Sequence, residues 1–196
     1  MFGNLPTKVP KVPFFVLLAA ALGGCGAASQ PTGTAHSERA ASDGERAALI
    51  GYLQQVEPIR LGVNRLLEGA DPILSAYREH RIPAREASLR MDGLERRFAA
   101  YTVRMAAVEP ATAALRSLNT PYAHTYVLED SYLSALTAGL ARGDFGGLPD
   151  TQSAQRAAIV QWRTGLTVLA QRAGLALPAD LQAAGRGEIA PSPSGS

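Results

Sequence analysis

Three tyrosines and a glutamate fall on one arc of a helix in the segment from Pro121 to Tyr132. At 100° per residue, Tyr122, Tyr126 and Tyr132 share that arc with Leu133, Leu136 and Leu140, and Glu129 lies near its centre. A carboxylate on an apolar face is costly unless it is paired or hydrogen-bonded. Arg60, at the edge of an earlier apolar face, Arg116 and the tyrosine hydroxyls are the candidate partners. Two kinds of reading stay open. In the first, Glu129 is a structural polar contact that fixes the packing register, or the helix is rotated enough to leave it in water. In the second, Glu129, Tyr122, Tyr126 and Tyr132 line a ligand pocket whose carboxylate recognises a cation or a hydroxyl group.

Other chemistry is sparse. There is no Gly-rich phosphate loop, no Gly-x-Ser-x-Gly elbow and no His-Glu-x-x-His helix. A di-iron bundle needs Glu three residues before a histidine on two helices. Here Tyr77 precedes His80 and Pro121 precedes His124 at that spacing. His36, His80 and His124 are therefore expected to be solvated or to cap helix ends, and no metal or cofactor is expected. Met91 and Met105 share a face as core filler, and Trp162 reads as core. The chain is not expected to be an enzyme, because no nucleophile–base pair can be assembled.

Cys25 is the one cysteine. It closes the run Leu22-Gly23-Gly24-Cys25, directly after the apolar stretch from Pro13 to Leu22. Lys8 and Lys11 precede that stretch, and no acidic residue occurs before Glu38. A basic start, a short apolar core and small residues before a cut form the pattern of an export signal. The apolar run is shorter than the roughly 20 residues that span a bilayer, which makes a permanent transmembrane anchor the weaker reading. The run resembles the signal peptide and lipobox of bacterial lipoproteins. That resemblance implies cleavage before Cys25, a diacylglycerol on its thiol and a protein held by lipid on the extracytoplasmic side of a cell-envelope membrane. A plain secretory signal is the rival reading.

From Cys25 onward the chain has 17 basic and 17 acidic residues, since both lysines lie upstream. This balance argues against nucleic acid as a partner. One cysteine leaves no disulfide framework, so stability must come from apolar packing. The domain plan is a signal peptide over residues 1–24, a flexible tether over 25–42, a helical domain over 43–184 and a disordered tail over 185–196. Removing the tail is expected to cost almost no stability.

The helical domain shows steps of three and four. Leu49, Tyr52, Val56, Ile59, Val63, Leu66, Ala70, Ile73 and Tyr77 form one seam, and Ala84 through Phe98 to Leu115 form a second. Pro58, Pro72 and Pro110 lie inside these seams; the seam stays in phase across Pro58 and Pro72, which predicts kinks there, with Gly69-Ala70-Asp71-Pro72 the best place for a true break. A third helix is expected to open at Asn119-Thr120-Pro121 and stop at Gly143. A fourth opens near Asp150-Thr151, buries Trp162 and Leu166, and ends near Gly174; Leu177 to Leu181 can add one short turn. The predicted fold class is all-α, an antiparallel four-helix bundle with some helices kinked at prolines. The functional expectation is an interaction or structural module on a lipid anchor, with an envelope protein as the possible partner. The alternative is a small-ligand binder using the region around Glu129.

Overall fold

The computed structural model describes residues 32–182 and 188–193, with side chains from residue 42 onward. The signal peptide, Cys25 and the first part of the expected tether lie outside the described residues. Among the described residues the regular structure is all helical: α1 (Thr32–Leu67), α2 (Ala70–Arg78), α3 (Ala84–Ala106), α4 (Ala113–Arg142), α5 (Gln152–Arg172) and the short α6 (Ala179–Gln182). None of these helices is long and apolar enough to cross a membrane.

Helix α1 begins at Thr32, so residues 32–42 are helical and not the flexible tether expected there. No proline interrupts the chain between Thr32 and Pro58, and each residue added to an existing helix gains one hydrogen bond. The helix continues through Pro58, as the unbroken seam suggests, and buries Leu49, Tyr52, Val56, Ile59 and Val63. Beyond Val63 the buried line passes to Leu67 and not to Leu66. A repeat of 3.5 drifts around a helix of 3.6 residues per turn, which moves the apolar line sideways.

The break in the first seam falls at Glu68-Gly69. Gly69 takes the N-cap position of α2 without a side-chain cap, while Asp71 sits inside the first turn. Asp71 therefore serves the positive end of the helix electrostatically and does not cap it. The second seam is more strongly divided than its periodicity implied. It ends at Ala106, and α4 starts at Ala113, so Pro110 lies in a full break between two helices. Pro110 lacks an N–H and biases Glu109 away from helical geometry. Thr112 then caps α4, its side chain accepting from the Leu115 N–H at 3.3 Å. The expected start at Asn119-Thr120-Pro121 is corrected in turn: Pro121 lies inside α4. Gly143 does stop the helix, at φ +70°, a conformation that glycine adopts without strain.

Helix α3 packs on α4, α4 on α5, α2 on α3 and α6 on α5. Helix α1 meets α3 where Tyr101 crosses Gly62, and it meets both α4 and α5 through Tyr52. The core is continuous from Leu49 and Leu74 through Met91, Phe98 and Leu133 to Trp162 and Leu166.

The C-terminal segment corrects the expected disordered tail. Residues 188–193 lie on the helices, with Ala190 buried, the Glu188 side chain shielded and Ile189 packed against the core. Composition alone hid this, because the segment is held by a few directed polar contacts and little apolar area. Residues 185–187 and 194–196 of that tail lie outside the described residues.

Candidate functional site

Glu129 is placed as its helical phase requires. It is 1 % exposed, among Tyr122, Tyr126, Tyr132 and Leu133, all buried. Its partners are not the expected ones. Gln155 Nε2 donates to Glu129 Oε2 at 2.7 Å, and the Ala190 backbone N–H donates to Glu129 Oε1 at 2.8 Å. Arg116 is exposed and donates to the Pro110 and Ala111 carbonyls. Burial raises the Glu129 pKa to about 7, and the hydrogen bonds from Ala190 and Gln155 pull only partly the other way. Two neutral donors stabilise a carboxylate less than an ion pair does, so desolvation dominates.

Arg60 serves a different cluster on the same side of the core. It is 1 % exposed and reaches Glu57 through Nε at 3.0 Å and Nη2 at 2.9 Å. It also binds the Asp180 carboxylate, and its Nη1 lies 3.8 Å from Glu188. Burial works against the Arg60 charge, but the hydrogen bonds to Glu57 and Asp180 overcome it and hold the guanidinium protonated. Arg60 in turn lowers the Asp180 pKa. Glu188, 6 % exposed, is bound by Arg163 and receives a long contact of 3.5 Å from the Tyr122 hydroxyl. A buried carboxylate between two guanidinium groups is a high-stakes arrangement, stabilising only while its partners stay in place.

The tyrosines complete the floor. The Tyr122 and Tyr126 hydroxyls are 3.4 Å apart, and burial raises both pKa values. Tyr122 stacks on Trp162, with centroids 3.9 Å apart and planes 7° from parallel. The indole N–H donates to the Tyr52 hydroxyl at 2.7 Å, and that hydroxyl donates to Asn119 Oδ1 at 2.9 Å. Tyr132 turns to the C-terminal segment, donating to the Pro191 carbonyl at 3.2 Å, and burial raises its pKa to about 12. Gln152 Nε2 donates to the Ala190 carbonyl at 3.2 Å.

Residues 188–191 are thus tied down by Arg163, Glu129, Gln152 and Tyr132. Beneath them a cavity of about 10 Å³ is bounded by Val63, Phe98, Thr125, Tyr126, Glu129 and Glu188. A space of that size is about one water-sized probe and admits no ligand of several heavy atoms. The four residues expected to line a pocket are brought together, but as closed core.

The sequence reading missed Gln155, Arg163 and Glu188 as members of this network. Gln155 carried a legible signal, since it stands seven residues before Trp162 and eleven before Leu166, in phase with the buried face. Glu188 carried none, because nothing in a Gly-, Pro- and Ser-rich tail says which helix it meets. His80 and His124 are both exposed, and His80 holds a left-handed turn conformation at φ +56°. Met91, Met105 and Trp162 lie in the core. Among the described residues no group of three His, Cys, Asp or Glu side chains could hold a metal ion.

No family model, curated protein or solved structure matches the chain.

Proposed function

We propose that this chain is a lipid-anchored lipoprotein of the cell envelope, tethered through Cys25, whose helices form an antiparallel four-helix bundle acting as an interaction or structural module. The long helices α1, α3, α4 and α5 are the four members of that bundle, with α2 and α6 as short additions. The observation that carries the module reading over the ligand-binding alternative is the closed state of the Glu129 region. Its polar groups are consumed by Gln155, Ala190, Arg163 and Pro191, and its cavity measures about 10 Å³. Groups committed to one another in a filled core serve rigidity, and a rigid helical body presents a fixed surface to a partner. The domain is proposed as non-catalytic. The anchor reading is supported by the Leu22-to-Cys25 run and the basic, apolar leader before it.

Two measurements test this function. The intact mass of membrane-extracted protein should exceed that of residues 25–196 by at least a diacylglyceryl group. A water-soluble, unmodified product would reject the anchor. Crosslinking in cells followed by mass spectrometry should recover one recurrent envelope protein attached to the helical domain. Crosslinks spread over abundant neighbours without recurrence would reject the module.

A further inference from the structure

A groove of about 470 Å³ lies between α1 and α3, on a surface independent of the Glu129 network. Tyr101 and Leu66 give it an apolar lining, and Arg65, Arg97 and Arg104 stand around it. Its volume falls in the range of small-ligand sites. Gly62 shapes it: a Cβ there would come within 2.4 Å of the Tyr101 hydroxyl, so the ring can lie across α1 only because that position has no side chain.

The three exposed arginines are held in a particular way. Arg65 Nε donates to the Leu61 carbonyl at 3.2 Å, and Arg97 Nε donates to the Gly93 carbonyl at 3.1 Å. Each guanidinium is thus fixed at its inner edge to its own helix, and among the described residues its terminal amino groups meet no acceptor. Arg104 sits over the Tyr101 ring, 5.4 Å from the centroid. Stacking uses the face of the guanidinium and leaves the donors around its rim available. Among the described residues none of the three is ion-paired with a carboxylate, whereas the exposed Arg81, Arg90 and Arg96 each are. Three forked donors bordering one groove with an aromatic floor match an oxyanion with several acceptors, attached to a ring or an apolar chain.

We propose that the groove formed by Arg65, Arg97, Arg104 and Tyr101 is a binding site for a phosphate monoester carrying an apolar portion. The phosphate takes the free edges of the guanidinium groups, and the apolar portion lies along Tyr101 and Leu66. Soluble aryl phosphates and phospholipid headgroups share this chemistry. The test separates them with two probes, 4-nitrophenyl phosphate and the water-soluble dihexanoyl phosphatidate. Each is titrated calorimetrically into the full chain in a nonionic detergent at about pH 7.5, above the phosphate's second pKa of about 6. At least one probe should bind with a Kd below about 1 mM. The double variant Arg97→Gln/Arg104→Gln should weaken that binding roughly tenfold or more, since it removes two charge-assisted forks. Its helical circular dichroism and Tm should match the parent, because both side chains are exposed. Binding of the phosphatidate alone assigns the site to a lipid headgroup, and binding of 4-nitrophenyl phosphate alone assigns it to a soluble ester. Failure of both probes to bind below about 1 mM, or parental affinity in the double variant, overturns the proposal.

Discussion

The backbone N–H of Ala190 donates to the buried carboxylate of Glu129 across 2.8 Å and 61 residues of chain. This bond ties the C-terminal segment to the centre of α4. Its acceptor is a group that burial pushes toward neutrality, with a pKa of about 7. The stability of the domain and the seating of its C-terminal segment are therefore coupled to one carboxyl group.

That coupling fixes a pH dependence. The folded pKa of Glu129 is about 7 and its ordinary value is 4.5, so between these the folded state holds more protons than the unfolded state. The contribution of this group is then most favourable below pH 4.5 and is lost as pH rises through 7. The full difference is about 3 kcal/mol. Urea denaturation at a series of pH values should show the parent losing more stability between acid and mildly alkaline conditions than Glu129→Gln does. Parallel profiles for the two proteins would show that the carboxyl does not titrate in this window.

Glu129→Ala leaves the Gln155 side chain and the Ala190 N–H without their acceptor. The expected loss is about 1–3 kcal/mol, the range for stranded buried donors. Its neighbour Asp130 is half-buried, with an Oδ1 that has no partner among the described residues, and both burial and the nearby Glu95 raise its pKa. Asp130→Ala should therefore change stability by less than about 0.5 kcal/mol, or improve it slightly. Chemical denaturation compares the two sites directly, and equal losses would contradict the assigned partners.

Removing residues 188–196 should be strongly destabilising, against the expectation drawn from composition. It strips Arg163 and Arg60 of Glu188, and Glu129 of its backbone donor. Breaking one buried pair by deleting a partner costs about 3–5 kcal/mol, and Glu188→Ala alone should approach the lower figure. A truncated protein with an unchanged denaturation midpoint would mean that the segment is not seated in solution.

Tyr52→Phe removes a single hydroxyl that accepts from Trp162 and donates to Asn119. Both partners are buried, so the loss should be about 2 kcal/mol. Trp162 is the one tryptophan, which makes its fluorescence a clean reporter. Its emission should stay that of a buried indole in the folded variant, because the Tyr122 stack remains. A red-shifted emission before unfolding would show that the hydroxyl also keeps water out.

The helical class and the placing of Glu129 on the apolar arc of α4 were legible in the sequence, whereas its burial to 1 % exposure was not. The first two follow from periodicity, which a helix imposes every 3.6 residues whatever it packs against. The sequence also determined the stop at Gly143, since a left-handed end favours glycine locally. Which groups meet Glu129 depends on how the helices pack. Arg60 looked suitable by charge, yet it lies among Glu57, Asp180 and Glu188, and Glu129 is served by an amide and a backbone N–H. The passage of α4 through Pro121 likewise goes with packing: Asn119 is held against Tyr52 of α1, in a turn that is part of a helix and not its cap. The docked C-terminal segment lay furthest from the reach of the sequence. Its contacts join residues 25 to 128 positions apart through single directed bonds, and no local pattern of apolar residues records a partner at that range.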